Sequence, residues 1–399
     1  MSMNNDVKLI IDEIIKNINP YERTIDGLNN FKLNNGRNIL ISIGKASWTM
    51  AKAVIDTIEI DEGVVITKYG HSKGDLRNVK IFEAGHPIVD ENSLKATQYA
   101  LDITSNLKEN DNVILLVSGG GSALFEKPLI GLEELQDINN QLLKSGASIN
   151  EINTIRKRLS MVKGGKFALH CLPAHIYTVV LSDVLGNDLS SIASGPAAIE
   201  TNNISAIEII DKYSLSVSEK TKEYLNIKPI KELNNVSNVI IGSVEQLCEY
   251  TKKTCEKLGY ESRIIKNNET NEAKYVGEEL ASYALNNNGK KAYIIGGETV
   301  VRVKGKGLGG RNTELALAAS KVIKDIKGVC LFSFGSDGTD GPTDAAGGYV
   351  DQNTANRIDV DYYLENNDSY NALKQTDGLI ITGPTGSNVN DIYVLLINN

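Results

Sequence analysis

The sequence is poor in the residues that staple or anchor a chain. Only four cysteines occur in 399 residues, Cys171, Cys248, Cys255 and Cys330, and they show neither the paired spacing of a metal site nor a disulfide framework. Cys248 and Cys255, seven apart on one predicted helix, are expected to face its core, where free cysteine is common. No apolar run reaches the roughly twenty residues of a membrane span, and Met1 to Lys8 holds no apolar signal core, so a cytoplasmic protein without a membrane partner is expected. Positive charge is also short. A formal net charge of -8 argues against nucleic-acid binding, which needs an excess of Lys and Arg, but leaves room for small anionic substrates.

What is present is glycine, 35 residues against 8 prolines, set in loops between apolar strands and amphipathic helices. A chain of this length exceeds one typical core, and the expected division is 1–230 and 231–399, with the last strand free to return to the first domain. Asn38 to Ile43 runs into Gly44-Lys45-Ala46-Ser47 and a helix. Amides at a helix start bind anions and Lys45 adds a full charge, although the P-loop spacing is absent. Asn112 to Val117 runs into Ser118, Gly119, Gly120, Gly121 and Ser122, a loop that reads as a hinge or as a cradle of amides for phosphate. Ser148 and Glu151 form a capping box for a helix carrying Arg156, Lys157 and Arg158, with Lys163 and Lys166 beyond: a local positive field, or a solvated helix face. Ile176 to Leu181 ends in Ser182 to Asp188, which puts Asp183 and Asp188 at the carboxyl end of a strand, where open α/β sheets gather ligands. The small-residue turn Ser190 to Pro196 is placed to line the same crevice.

In the second half, Gly305, Gly307 and Gly310 satisfy Gly-x-Gly-x-x-Gly between a predicted strand, Thr299 to Lys304, and a helix. The acidic residue of a dinucleotide site is misplaced, because Asp325 precedes the second strand instead of ending it. Lys304, Lys306 and Arg311 make the loop look more like a clamp for phosphate or carboxylate. An apolar run, Gly328 to Phe334, then feeds Asp337, Asp340 and Asp344 on a backbone of glycine turns. Such carboxylates suit magnesium, which takes one or two of them and completes its shell with substrate phosphates, yet Asp-Gly and Gly-Pro are also ordinary turn dipeptides. In Gly383 to Asp391, Asn388 and Asn390 serve a turn or orient a substrate hydroxyl.

Together these stretches resemble the glycerate 2-kinases whose C-terminal part is called the MOFRL domain. The matching segments are Val117 to Ala123, Ser145 to Glu151 with Arg156, Lys157 and Lys163 to Gly165, Leu181 to Asp183 through Ile192 to Pro196, Gly297 to Thr299, Gly307 to Glu314, Gly335 to Gly347, and Gly383 to Asp391. Leu185 and Asn187 depart from the pattern, standing where proline and aspartate are expected, which weakens any role for position 187. The resemblance implies an α/β protein with a Rossmann-like N-terminal three-layer domain, a parallel sheet, a smaller α/β MOFRL domain, and an active site in the interdomain cleft. It also implies transfer of phosphate from ATP, with Mg2+, to the 2-hydroxyl of D-glycerate. Lys45 and Arg311 match positions thought functional in the family. From chemistry, Asp183 or Asp188 is expected to be the base, Asp337 and Asp340 the metal ligands, and Ser118 to Ser122, Glu298, Asn312, Asn388 and Asn390 the nucleotide and substrate contacts. The competing expectation is an NAD(P)H-dependent hydroxypyruvate reductase, and a homodimer stays open.

Overall fold

The computed structural model describes residues 5–399; Met1 to Asn4, on which the expectation about a signal core partly falls, lie outside the described residues. The chain forms two compact units, Pro20–Ile241 and a second made of Gly242–Asn399 with the N-terminal segment up to Asn19. This differs from the division at 230 in two places. The first helix, Asn5–Asn17, buries Val7, Ile10, Ile11 and Ile14, and this apolar stripe packs on the helix Val244–Lys257, with Tyr260 donating to Asp6 at 2.7 Å. The strand at Val236 belongs to the first unit's sheet, which moves the boundary past it.

The first unit holds strands β1 (Asn38–Ile43), β2 (Glu62–Lys68), β3 (Val79–Ala84), β4 (Asn112–Val117), β5 (His175–Leu181) and β6 (Val236–Gly242), in the order β3-β2-β1-β4-β5-β6. The first five run parallel. Every residue of β4 is buried, the continuous apolar run of a strand covered on both faces. This order is that of the doubly wound nucleotide-binding fold, in which ligands lie beyond the carboxyl ends of strands where the winding reverses. Here the reversal falls between β1 and β4. The capping box foreseen at Ser148 is present: its hydroxyl accepts from the Glu151 amide, while Glu151 accepts from the Ser148 amide at 2.8 Å.

The second unit holds β7 (Glu261–Glu269), β8 (Lys290–Gly297), β9 (Val329–Gly335), β10 (Gly347–Asp351), β11 (Leu379–Ile380) and β12 (Asp391–Asn398), ordered β11-β10-β9-β12-β8-β7. The last strand does not return to the first unit; it runs antiparallel between β8 and β9, pairing Asp391 with Gly297 and with Gly335. That register brings the start of β12 beside the ends of both neighbours. The expected strand from Thr299 to Lys304 is absent, and this segment makes one isolated bridge, Val300 to Glu272. Among the described residues no helix is long and apolar enough to cross a membrane.

Candidate active site

In the first unit the expected residues converge at the β1–β4 reversal. The Lys45 amide donates to the Gly119 carbonyl at 2.9 Å, so the two strand-end loops are tied directly. Gly119 also meets the end of β5: a Cβ there would lie 2.3 Å from Asp183 Oδ2. At Gly120, where φ is +91°, a Cβ would lie 3.0 Å from the His86 ring and 3.5 Å from the Lys45 stem. Ser122 shares a hydrogen bond of 3.1 Å with Ser194, and Gly121 packs on Ala193. Ala193 and Ser194 hold φ of 50° and 60°, a left-handed conformation costly for residues with a Cβ. Lys45, His86, Gly119, Gly120, Ser122 and Asp183 thus form one cluster, joined by the Ser190 to Pro196 turn. Among the described residues the Lys45 ammonium has no ion-pair partner. Burial, with the charges of Lys45 and Lys68, pushes the His86 imidazole down to about 4, so it is neutral near pH 7.

Two expected residues of this unit serve structure instead. Ser118 is buried, and its hydroxyl accepts from the Ala46 amide at 3.1 Å and donates to the Ile43 carbonyl at 3.2 Å; it binds β1 to β4 and has nothing left for phosphate. Asp188 accepts from the Ser190 amide and hydroxyl and from the Ser191 hydroxyl at 2.9, 2.8 and 2.7 Å. These donors fill a turn and leave it a poor base. The departure at position 187 has a backbone reason, because Asn187 sits at φ 55° and asparagine tolerates that region better than most residues. The cation run is mostly internal. Lys163 is fully buried against Glu126 at 2.7 Å, Arg158 pairs with Glu200 at 2.6 Å, and Lys166 donates to three carbonyls.

In the second unit, Arg311 opens the helix Arg311–Val322. Its guanidinium grips Asp391 with Nε and Nη2, at 2.5 and 3.2 Å, and Glu298 with Nη1 at 2.8 Å. Burial lifts the Asp391 carboxyl above its usual range against the pull of Arg311, and Asp391 in turn holds the guanidinium charged despite burial. Asn390 donates to Glu298 at 3.3 Å, and Asn388 accepts from the Asn390 amide at 3.3 Å. Glu298, Arg311, Asn390 and Asp391 are therefore one polar group, with Asn388 bracing its loop.

The metal expectation divides. Asp340 is 2% exposed, and its oxygens accept from the Asn312 amide, the Thr313 amide and the Thr313 hydroxyl at 2.9, 2.8 and 2.8 Å. It caps the Arg311 helix and has no vacancy for magnesium. Asn312 is likewise buried, its side-chain oxygen accepting from Ser333 at 2.6 Å inside the second unit. Asp337 uses one oxygen for the Thr339 amide and hydroxyl, at 2.9 and 3.0 Å; the other has no hydrogen bond among the described residues. Asp344 accepts from Tyr370 at 2.7 Å. No cluster of three or more His, Cys, Asp or Glu able to hold a metal occurs among the described residues. The glycine fingerprint is a packing device, since Cβ atoms at Gly305 and Gly307 would strike Asn366 and Asp368 and no strand precedes it.

Sequence reasoning missed His86 and Asp391 as site residues. His86 follows the end of β3 in Gly85-His86-Pro87, the same strand-end position that singled out Lys45 and Asp183. Asp391 closes the Gly383 loop, and only the antiparallel placement of β12 shows that it meets Arg311.

Fold and loops define a doubly wound α/β protein with glycine-rich loops gathered at strand ends. Residues 6–226 match the family described as "Domain of unknown function (DUF4147)", and residues 291–391 match the MOFRL family. The chain is 49% identical over 383 residues to the D-glycerate 2-kinase of Thermotoga maritima, covering 92% of each chain. It is 38% identical to a glycerate 2-kinase of Pyrococcus horikoshii, covering 98% of this chain and 96% of that one. A crystal structure of glycerate kinase from Thermotoga maritima superposes with a TM-score of 0.94 at 46% identity, covering 98% of this chain and 99% of the other. The chain belongs to the glycerate 2-kinase family that joins a DUF4147 region to a MOFRL region.

Proposed function

We propose that the protein transfers the terminal phosphoryl group of ATP to the 2-hydroxyl of D-glycerate, giving 2-phosphoglycerate and ADP. The observation that carries this reading is the junction of Lys45, Gly119 and Asp183 at the β1–β4 reversal. Phosphoryl transfer asks mainly for positioning and for neutralisation of charge on the moving group. Gly119, Gly120 and Ser122 let the backbone come close to phosphate oxygens, and Lys45 brings a cation without a competing carboxylate. Asp183 accepts the proton of the 2-hydroxyl as the oxygen attacks. Arg311, held in place by Asp391 and Glu298, offers its remaining N–H donors to an anionic oxygen of substrate.

Asp337 would hold magnesium, which when bound neutralises charge on the transferring phosphates. The fit rests on its uncommitted oxygen. The setting this chemistry implies is the cytoplasm, where ATP is available. A reductase reading draws no support from the glycine loop at Gly305, which lacks the strand of a dinucleotide site. Incubation with ATP, Mg2+ and D-glycerate, followed by a coupled assay for ADP, tests the reading against NADH consumption with hydroxypyruvate. Glycerate-dependent ADP formation is expected, and NADH oxidation in its absence overturns the reading.

A further inference from the structure

Wholly within the second unit, a polar cavity of about 510 Å³ lies among the helices Ala273–Ser282 and Val360–Glu365 and the irregular segment that follows Glu298. It shares no lining residue with the group of Glu298, Arg311, Asn390 and Asp391. The one buried residue of its lining is Glu314, a turn along the helix that Arg311 opens. Glu314 is 3% exposed. Its Oε2 accepts from the Asn367 side chain at 3.1 Å, while Oε1 has no partner among the described residues and is not sealed in the protein, so it opens on the cavity. Burial holds this carboxyl above its ordinary range.

The chain supplies no cation to Glu314. Lys274 is taken by Glu272 at 3.1 Å and Lys321 by Asp361 at 2.5 Å. A buried carboxylate without a charge partner is costly, and an ammonium group is the complement that its open oxygen lacks. Asn367 brings the opposite charge to the same place. Held at φ 52°, it accepts from the Lys304 and Gly305 amides at 2.7 and 2.9 Å with the side chain that also donates to Glu314, so the segment is tied to the carboxylate. Arg302 and Lys304 on that segment line the cavity, and their charged ends have no partner among the described residues. The remaining carboxylates of the lining, Glu278 and Glu365, stay in contact with water. A ligand of one sign would meet both attraction and repulsion in such a cavity, whereas a ligand carrying both signs satisfies each unused group. We infer that this cavity binds a free α-amino acid, its ammonium on Glu314 and its carboxylate on Arg302 and Lys304.

The test uses the whole chain. Saturation-transfer NMR with an equimolar mixture of the protein amino acids is expected to show transfer from the wild type to one or a few of them. The strongest responder is then titrated against two variants. Glu314→Gln keeps an oxygen for Asn367 but loses the charge, and the double variant Arg302→Ala/Lys304→Ala changes only exposed side chains. Each is expected to weaken binding about tenfold or more with Tm close to wild type, while Arg311→Lys leaves the affinity within about twofold. The hydroxy acid and the decarboxylated amine that match the responder are expected to bind about tenfold or more weakly than the amino acid. No responder in the mixture overturns the inference, as does affinity unchanged in either cavity variant or lost in Arg311→Lys. Equal binding of the hydroxy acid or of the amine also overturns it, because one charge would then suffice.

Discussion

The carboxylate of Asp183 lies directly against Gly119: a Cβ at position 119 would fall 2.3 Å from Asp183 Oδ2. The strand-end loops of β4 and β5 are thus fitted to each other at the point where the Lys45 amide also binds the Gly119 carbonyl. Gly119→Ala has to push the carboxylate away, and turnover is expected to fall about tenfold or more while the fold survives. Asp183→Asn removes the proposed base and is expected to lower kcat by about a hundredfold or more, with the KM for ATP little changed. Steady-state kinetics on both variants check this, and an Asp183→Asn enzyme within threefold of wild type would remove Asp183 from the mechanism.

Arg311 is held by two carboxylates, so its truncation has two effects. Arg311→Ala is expected to lower turnover by about a hundredfold or more and also to destabilise the unit, because Asp391, 2% exposed, loses its partner. Arg311→Lys separates the two. It keeps a charge near Asp391 but loses the planar fork, so thermal stability is largely retained while kcat still falls. Equal turnover of the lysine variant and wild type would reduce Arg311 to a structural pair.

Asp340 is assigned to the helix cap. Asp340→Ala is expected to cost about 1 kcal/mol or more and to lower Tm, while leaving the magnesium concentration for half-maximal activity unchanged. Asp337→Ala should do the reverse, raising that concentration with little change in Tm. A magnesium titration of the two variants decides between them, and chelation of the metal should stop turnover in the wild type.

His86 titrates far below its ordinary value, from 6.5 down to about 4. Between these two values the unfolded chain binds more protons than the folded one, so stability rises with pH across the window and is lost as pH falls from 6.5 toward 4. His86→Gln is expected to flatten that part of the stability profile, measured by chemical denaturation at several pH values. The kcat/KM profile should show no inflection from His86 near pH 6.5.

The convergence of the first unit's candidate residues was legible because they follow parallel strands, and parallel strands bring their carboxyl ends together. Lys45, the glycine loop and Asp183 needed only that rule. Ser118 and Asp188 obeyed the same rule but were misassigned, because short polar side chains next to a turn bind the nearby backbone, and sequence does not show whether they have done so. The second unit was harder. Its mixed sheet brings Glu298, Arg311 and Asp391 together through an antiparallel last strand, and no periodicity in the chain announces that pairing. Asp340 and Asp337 are identical residues three positions apart in one glycine-rich stretch. Only the docking of the Arg311 helix onto Asp340 distinguishes them. The N-terminal helix gave its apolar stripe plainly but not its destination.

The most direct test of the central claim is phosphorus NMR of the product formed from ATP and D-glycerate. The geometry and the family together predict the resonance of 2-phosphoglycerate, appearing in step with ADP. A 3-phosphoglycerate signal, or ADP formation that does not depend on glycerate, would contradict it.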